Sequence, residues 1–157
     1  MKDGLLVLGD EDASQVGGAL FRAHGFSGAP VGIHCILDMF QCPPALLNDA
    51  DHVSRAIEEA VRAAGATLLK CFTHLFQPQG VTAIALLAES HLSIHTWPER
   101  GYAAVDIFTC GKSSKPEEAI EAMVDLFLAG SYSSSVIERG GAGAQMEARI
   151  VRQEVRR

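Results

Sequence analysis

The sequence lacks a Cys-x-x-Cys pair, an excess of positive charge and any long apolar run, and each absence removes a class of protein. Its four cysteines, Cys35, Cys42, Cys71 and Cys110, show no zinc-type spacing. The net charge of −6 leaves no basic footprint of the kind that general nucleic-acid binding needs. Only the tail is locally basic, through Arg149, Arg152, Arg156 and Arg157, which read as a solvated end. The apolar run Leu5–Leu8 is too short for a signal peptide and acidic residues follow it, and no run is long enough to span a bilayer. These features predict a cytoplasmic protein with reduced thiols, no nucleic-acid partner and no membrane partner.

What is present is a globular composition. Of 157 residues, 48% are hydrophobic and 20% charged, enough for one domain with a real core. Residues 1–30 are rich in Gly and Ala without periodicity and read as an N-terminal extension of unknown role. From Val31 the pattern sharpens: Val31, Ile33, Cys35 and Leu37 alternate with Gly32, His34, Ile36 and Asp38, a strand signal. After Pro43-Pro44, Asp49 or Asp51 can cap a helix whose apolar stripe is Val53, Ala56, Ile57, Ala60, Val61 and Ala64, closed by Gly65. Strands are predicted over 67–76, 81–88, 92–97, 102–109 and 131–139. Ser114 and Pro116 start a second helix with a stripe of Ile120, Met123, Val124, Phe127 and Leu128, ended by Gly130. Residues 140–157 read as a Gly-rich, then charged, tail.

Two helices cannot cover both faces of a sheet of about six strands. The economical fold is α+β, a two-layer sandwich of a mainly antiparallel sheet with both helices on one face. The apolar strands 81–88 and 102–109 then predict that the other face is buried in a partner, making a homodimer.

Reactive side chains concentrate in Ala88–Gly111. Strand alternation puts His91, Ser93, His95 and Trp97 on one face and Leu92, Ile94 and Thr96 on the other. Four residues of strand hold His91 and His95 roughly 13 Å apart, too far to share one metal ion. A serine after a strained carbonyl has another option. The Ser90 hydroxyl can attack the Glu89 carbonyl to make an ester. Elimination from it cuts the chain and leaves a dehydroalanine that hydrolyses to a pyruvoyl group. His95 and the Thr82 hydroxyl are candidates for the proton transfer and the oxyanion donors. Serine at a strand start is ordinarily a turn residue, so Glu-Ser alone does not establish this chemistry.

Longer motifs carry it further. ESHLSIHTWPE (89–99) followed by GYAAVDIFTCG (101–111), with FQPQG (76–80) in support, resembles the small bacterial and archaeal S-adenosylmethionine decarboxylase proenzymes over about 31–139. The resemblance implies a decarboxylase domain at 31–139 that supplies the aminopropyl donor for spermidine synthesis. It implies that Ser90 becomes the pyruvoyl group, which forms a Schiff base with substrate and needs neither pyridoxal phosphate nor metal. Glu89 becomes the new C-terminus, His95 assists processing and Cys110 returns a proton to the substrate carbon. Phe76 and Trp97 flank adenine, and Glu99 holds the ribose hydroxyls. At position 82 the family usually has serine; Thr82 keeps the hydroxyl and adds a stiff methyl. The mature unit is implied to be a cleaved α and β pair.

Two other readings use the same residues. A pyruvoyl decarboxylase of ornithine or arginine would keep Ser90, His95 and Cys110 and change only the pocket, where Glu99 could hold a cationic group. An uncleaved chain would be a nucleoside or polyamine binder, which the state of residue 90 decides. His34, His74 and Cys71 read as structural residues, and Asp106 needs a polar partner that the sequence does not name.

Overall fold

The computed structural model describes residues 28–111 and 114–141, and the backbone of 148–154. The predicted extension at 1–30 and tail at 140–157 therefore lie largely outside the described residues. The elements run β1 (Gly32–Phe40), α1 (Pro44–Leu47), α2 (Ala50–Ala63), β2 (Leu68–Leu75), β3 (Val81–Leu87), β4 (Ser90–Trp97), β5 (Tyr102–Cys110), α3 (Pro116–Leu126), β6 (Ser131–Arg139) and β7 (Ala148–Glu154). The strands form one sheet in the order β2-β3-β4-β5-β1-β6-β7, every neighbouring pair antiparallel.

The predicted α+β sandwich is the observed architecture, with two additions. One is the single-turn α1. The other is β7, in the segment read as tail, which pairs with β6 at the sheet edge. Leu128 is a correction: α3 ends at Leu126, and Leu128 takes a left-handed φ of 49° and is 46% exposed rather than part of the apolar stripe.

Local chemistry explains the two main helices. The Asp49 carboxylate accepts the His52 N–H at 2.9 Å and so satisfies an otherwise orphaned donor at the start of α2. The backbone bond lowers the Asp49 pKa below the usual carboxylate range. Gly65 (φ 65°) provides the left-handed exit. Pro116 opens α3, where its missing N–H costs nothing. The buried residues of α2 are Val53, Ala56, Ile57, Ala60 and Val61, and α3 buries Ile120, Met123 and Val124.

Both helices lie on the same face because each belongs to a crossover. The chain leaves central β1 through α2 to reach edge strand β2, and leaves β5 through α3 to reach β6. Leu37, Met39, Leu92, Ile94, Val105 and Ile107 rise from the sheet into this layer and are almost wholly buried. The opposite face has no helix among the described residues. Ile36, Phe40, Phe72, Ile84, Leu86 and Trp97 there are 36–60% exposed. Exposed apolar side chains grouped on one face can mark an interaction surface. Strand β3 is thus a half-buried strand, with Ala83 and Ala85 under the helices and Ile84 and Leu86 outside.

Candidate functional site

The hairpin joining β3 to β4 pairs Leu87 with Ser90 across a two-residue turn, Ala88-Glu89. Two-residue hairpins match the strand twist best when the turn residues adopt positive φ, which favours glycine or asparagine. Neither is present, and the positive φ falls instead on Ser90, at 151°. This region is almost exclusive to glycine and costs a serine about 1–3 kcal/mol. The strain therefore adjoins the Glu89–Ser90 bond.

Several contacts hold the turn in that conformation. The Ala88 N–H donates to the Thr67 carbonyl at 3.0 Å, and the Thr67 N–H donates to the Glu89 carboxylate at 2.9 Å. That bond, the largest influence, holds the Glu89 carboxyl below its usual pKa. The Glu89 carbonyl oxygen accepts twice from Cys110, from its N–H at 2.9 Å and its Sγ at 2.7 Å. Ser90 Oγ lies 3.1 Å from His91 Nδ1. Glu89, Ser90 and Cys110 are thus brought together, and His91 and Thr67 join them. The alternation pattern named His91 only as a face-mate of His95; its contact with Ser90 was not legible.

A second cluster lies further along β4. Thr82 and His95 are cross-strand partners, and Thr82 Oγ1 shares a 2.8 Å hydrogen bond with His95 Nδ1. The sequence names both residues for the cleavage of Glu89–Ser90, without pairing them with each other. Five residues of strand put His95 roughly 17 Å from Ser90, beyond any direct contact. At that separation neither Thr82 nor His95 directly reaches the Glu89 carbonyl of the same chain.

The third group borders the second. Trp97 stands 6.4 Å from His95 between ring centroids and 5.3 Å from Tyr102, which stacks on Phe40 at 5.5 Å. Phe76 donates its N–H to the Gly80 carbonyl at 2.7 Å, and continuing the β3–β4 register sets Gly80 opposite Trp97. Gly80 presents no side chain, and about two strand spacings, near 10 Å, separate the backbone positions of Phe76 and Trp97. Glu99, in the 3-10 turn after β4, accepts from Gln79 Nε2 at 3.2 Å.

Tyr102 donates its hydroxyl to Asp38 at 2.5 Å; burial first, then Asp38, push its pKa up to about 12. Asp106 stands 3.4 Å from His34 Nε2, an ion-pair separation without hydrogen-bond geometry. His74, read as structural, lies on the open face with its ring edge-on to Phe76 at 4.6 Å.

The four thiols are not equivalent. Burial pushes Cys35 up to about 12 and Cys42 to about 11, and raises Cys71, whereas Cys110 is exposed. Because thiolate is the reactive form, iodoacetamide at neutral pH is expected to label Cys110 and spare Cys35 and Cys42 until the chain is unfolded. Peptide mapping checks this; early label on Cys35 would contradict its burial.

Comparisons with known proteins place the chain in a family. A family described as S-adenosylmethionine decarboxylase matches residues 33–140. An S-adenosylmethionine decarboxylase proenzyme of Synechococcus sp. (strain WH7803) is 50% identical over 119 residues, covering 74% of this chain and 93% of that protein. One from Methanococcus aeolicus is 47% identical over 110 residues, covering 70% and 94%. The crystal structure of the adenosylmethionine decarboxylase from Aquifex aeolicus superposes with a TM-score of 0.68 at 32% identity, covering 78% of this chain and all of that one. A Trypanosoma brucei AdoMetDC monomer shares the fold at 12% identity and a TM-score of 0.52, over 67% of this chain and 45% of its own. Nothing in these relatives supports the ornithine, arginine or uncleaved-binder readings. Across most of its length, with the Glu-Ser hairpin inside the matched region, the chain belongs to the S-adenosylmethionine decarboxylase family.

Proposed function

We propose that residues 31–139 form the catalytic unit of a decarboxylase proenzyme that acts on S-adenosylmethionine after cutting its own Glu89–Ser90 bond. The observation that carries this is the Glu89 carbonyl, held by two Cys110 donors beside a serine at φ 151°. A residue left in so costly a conformation at the predicted scissile bond fits a bond poised to rearrange.

The residues supply what cleavage needs. As Ser90 Oγ adds to the Glu89 carbon, negative charge grows on the oxygen already facing the Cys110 N–H and thiol, an oxyanion site. The ester must then lose the proton on Ser90 Cα, which needs a second base. Within one chain His95 is too distant, so the pairing of two copies through their open faces is part of this reading. Sheets packed face to face lie about 10 Å apart, close enough for side chains to interdigitate. A two-fold axis would bring the Ser90–Cys110 end of one copy to the Thr82–His95 end of the other, twice per dimer. Thr82 bonds His95 Nδ1 and so leaves Nε2 for the proton.

The pyruvoyl carbonyl formed at position 90 supplies an electron sink for decarboxylation. Cys110, released from the Glu89 carbonyl by cleavage, is the acid that returns a proton to substrate. Phe76 and Trp97 flank the adenine, and Glu99 accepts from the ribose hydroxyls.

Carbon dioxide release from S-adenosylmethionine, ornithine and arginine tests the substrate. Trp97→Ala and Glu99→Gln are each expected to cost about 1–3 kcal/mol in kcat/KM for S-adenosylmethionine, roughly 5- to 150-fold. Efficient turnover of ornithine or arginine in place of S-adenosylmethionine would refute the substrate assignment and leave the self-cleavage intact.

A further inference from the structure

We infer that His91 is the catalytic base that starts self-cleavage by taking the Ser90 hydroxyl proton, an inference that rests on the Glu89–Ser90 reading above. Consecutive side chains on a regular strand point to opposite faces and do not meet. Ser90 breaks that rule: with φ at 151°, its Oγ lies 3.1 Å from Nδ1 of the residue that follows it. The same distortion that strains the scissile bond accompanies a nucleophile–base contact.

The imidazole is braced on its other side. His91 pairs across the strands with Phe108, ring centroids 6.1 Å apart. Phe108 in turn carries the Arg139 guanidinium 4.8 Å above its ring and meets His34 edge-on at 5.8 Å. Phe108 is thereby fixed from two sides, and His91 is oriented against it. Reach favours His91 over His95 as well, since His95 lies five residues further along the same strand.

The step balances without any outside reagent. Neutral His91, carrying its proton on Nε2, accepts the Ser90 hydroxyl proton at Nδ1 as the Oγ–carbon bond to Glu89 forms. The charge on the former carbonyl oxygen rests on Cys110 N–H and Sγ. His91 then gives the proton to the Ser90 nitrogen as the carbon–nitrogen bond breaks. An amide and a hydroxyl have become an ester and an amine. His95 of a second copy acts on a different proton, that on Ser90 Cα, in the elimination that follows. Two histidines therefore serve two successive steps.

Hydroxylamine separates these steps, because it splits an ester but not the intact amide. His91→Asn keeps a hydrogen-bond acceptor near the Nδ1 position but cannot carry the proton. Freshly purified His91→Asn and His91→Ala are expected to cleave about 100-fold or more slowly than wild type. Added hydroxylamine should not speed them, and added imidazole should restore cleavage in His91→Ala. His95→Ala should instead accumulate ester, which hydroxylamine splits to leave serine at position 90. Denaturing gels and intact mass follow both fragments; circular dichroism and sedimentation verify each variant's fold. Wild-type cleavage rates in a folded His91→Asn variant would overturn the inference, as would full rescue of that variant by hydroxylamine. Should wild type itself never cleave, the self-cleavage reading fails, a result distinct from either.

Discussion

Wild-type chain purified from an expressing cell is expected to run as two pieces, residues 1–89 and 90–157, while Ser90→Ala remains one intact and inactive chain. The effect is all or none, because the substitution removes both the attacking hydroxyl and the atoms from which the pyruvoyl group is made. Intact mass gives the decisive reading: the second fragment should begin with a pyruvoyl group in place of serine. Full decarboxylase activity from uncleaved 157-residue chain would sink the mechanism. Strain can be tested in the same set. A glycine placed in a strand ordinarily costs about 0.5–1 kcal/mol relative to alanine. At position 90 the sign should reverse, since glycine accepts φ 151° without penalty. Ser90→Gly should therefore be the more stable of the two uncleaved variants, by about 1 kcal/mol or more in urea unfolding.

Mixing two inactive variants should restore cleavage. In a homodimer of His95→Ala both composite sites lack the elimination base, so processing stops at the ester. In a homodimer of Ser90→Ala both lack the nucleophile. A mixed dimer has one damaged site, with both substitutions, and one complete site. The complete site joins Ser90 of the His95→Ala chain to His95 of the Ser90→Ala chain. Random pairing of equal amounts puts about half of the His95→Ala chains in mixed dimers. About half of that chain should then be cut to completion, and none of the Ser90→Ala chain. Differently tagged copies resolve the two on a gel. Absence of any cut chain in a verified mixed dimer would mean that Thr82 and His95 serve no partner's site. A strictly monomeric protein that cleaves fully would refute the arrangement more directly.

Alternation of side-chain type was enough to read most strands and the inward face of each. Leu92, Ile94 and Thr96 are buried beneath the helices while His91, His95 and Trp97 lie outside, as period-two spacing requires. The α2 stripe is equally legible because Val53, Ala56, Ile57, Ala60 and Val61 recur at helical spacing. Strand β7 was not, since its Ala-Arg-Ile-Val-Arg-Gln-Glu run mixes charge with a short apolar centre, and its pairing with β6 is a long-range choice. Leu128 misled for a related reason: an apolar side chain fits the stripe, but nothing local says that the helix stops two residues earlier.

Residue identity alone determined the chemistry on offer: a hydroxyl after a glutamyl carbonyl, a thiol, paired imidazoles, aromatic rings and a carboxylate. The spacing of ESHLSIHTWPE and GYAAVDIFTCG set which strands those groups ride on. Which of them meet was decided only by the tertiary structure. Cys110 reaches the Glu89 carbonyl because the register of β5 against β4 brings the end of one strand to the start of the other. Ser90 meets His91 where a tight turn without glycine displaces its strain onto the next residue. Thr82 and His95 are kept away because β4 is an extended, rigid element whose length separates its two ends. Separation in space depends on how strands pair, and pairing is a property of distant segments that no local stretch of sequence contains.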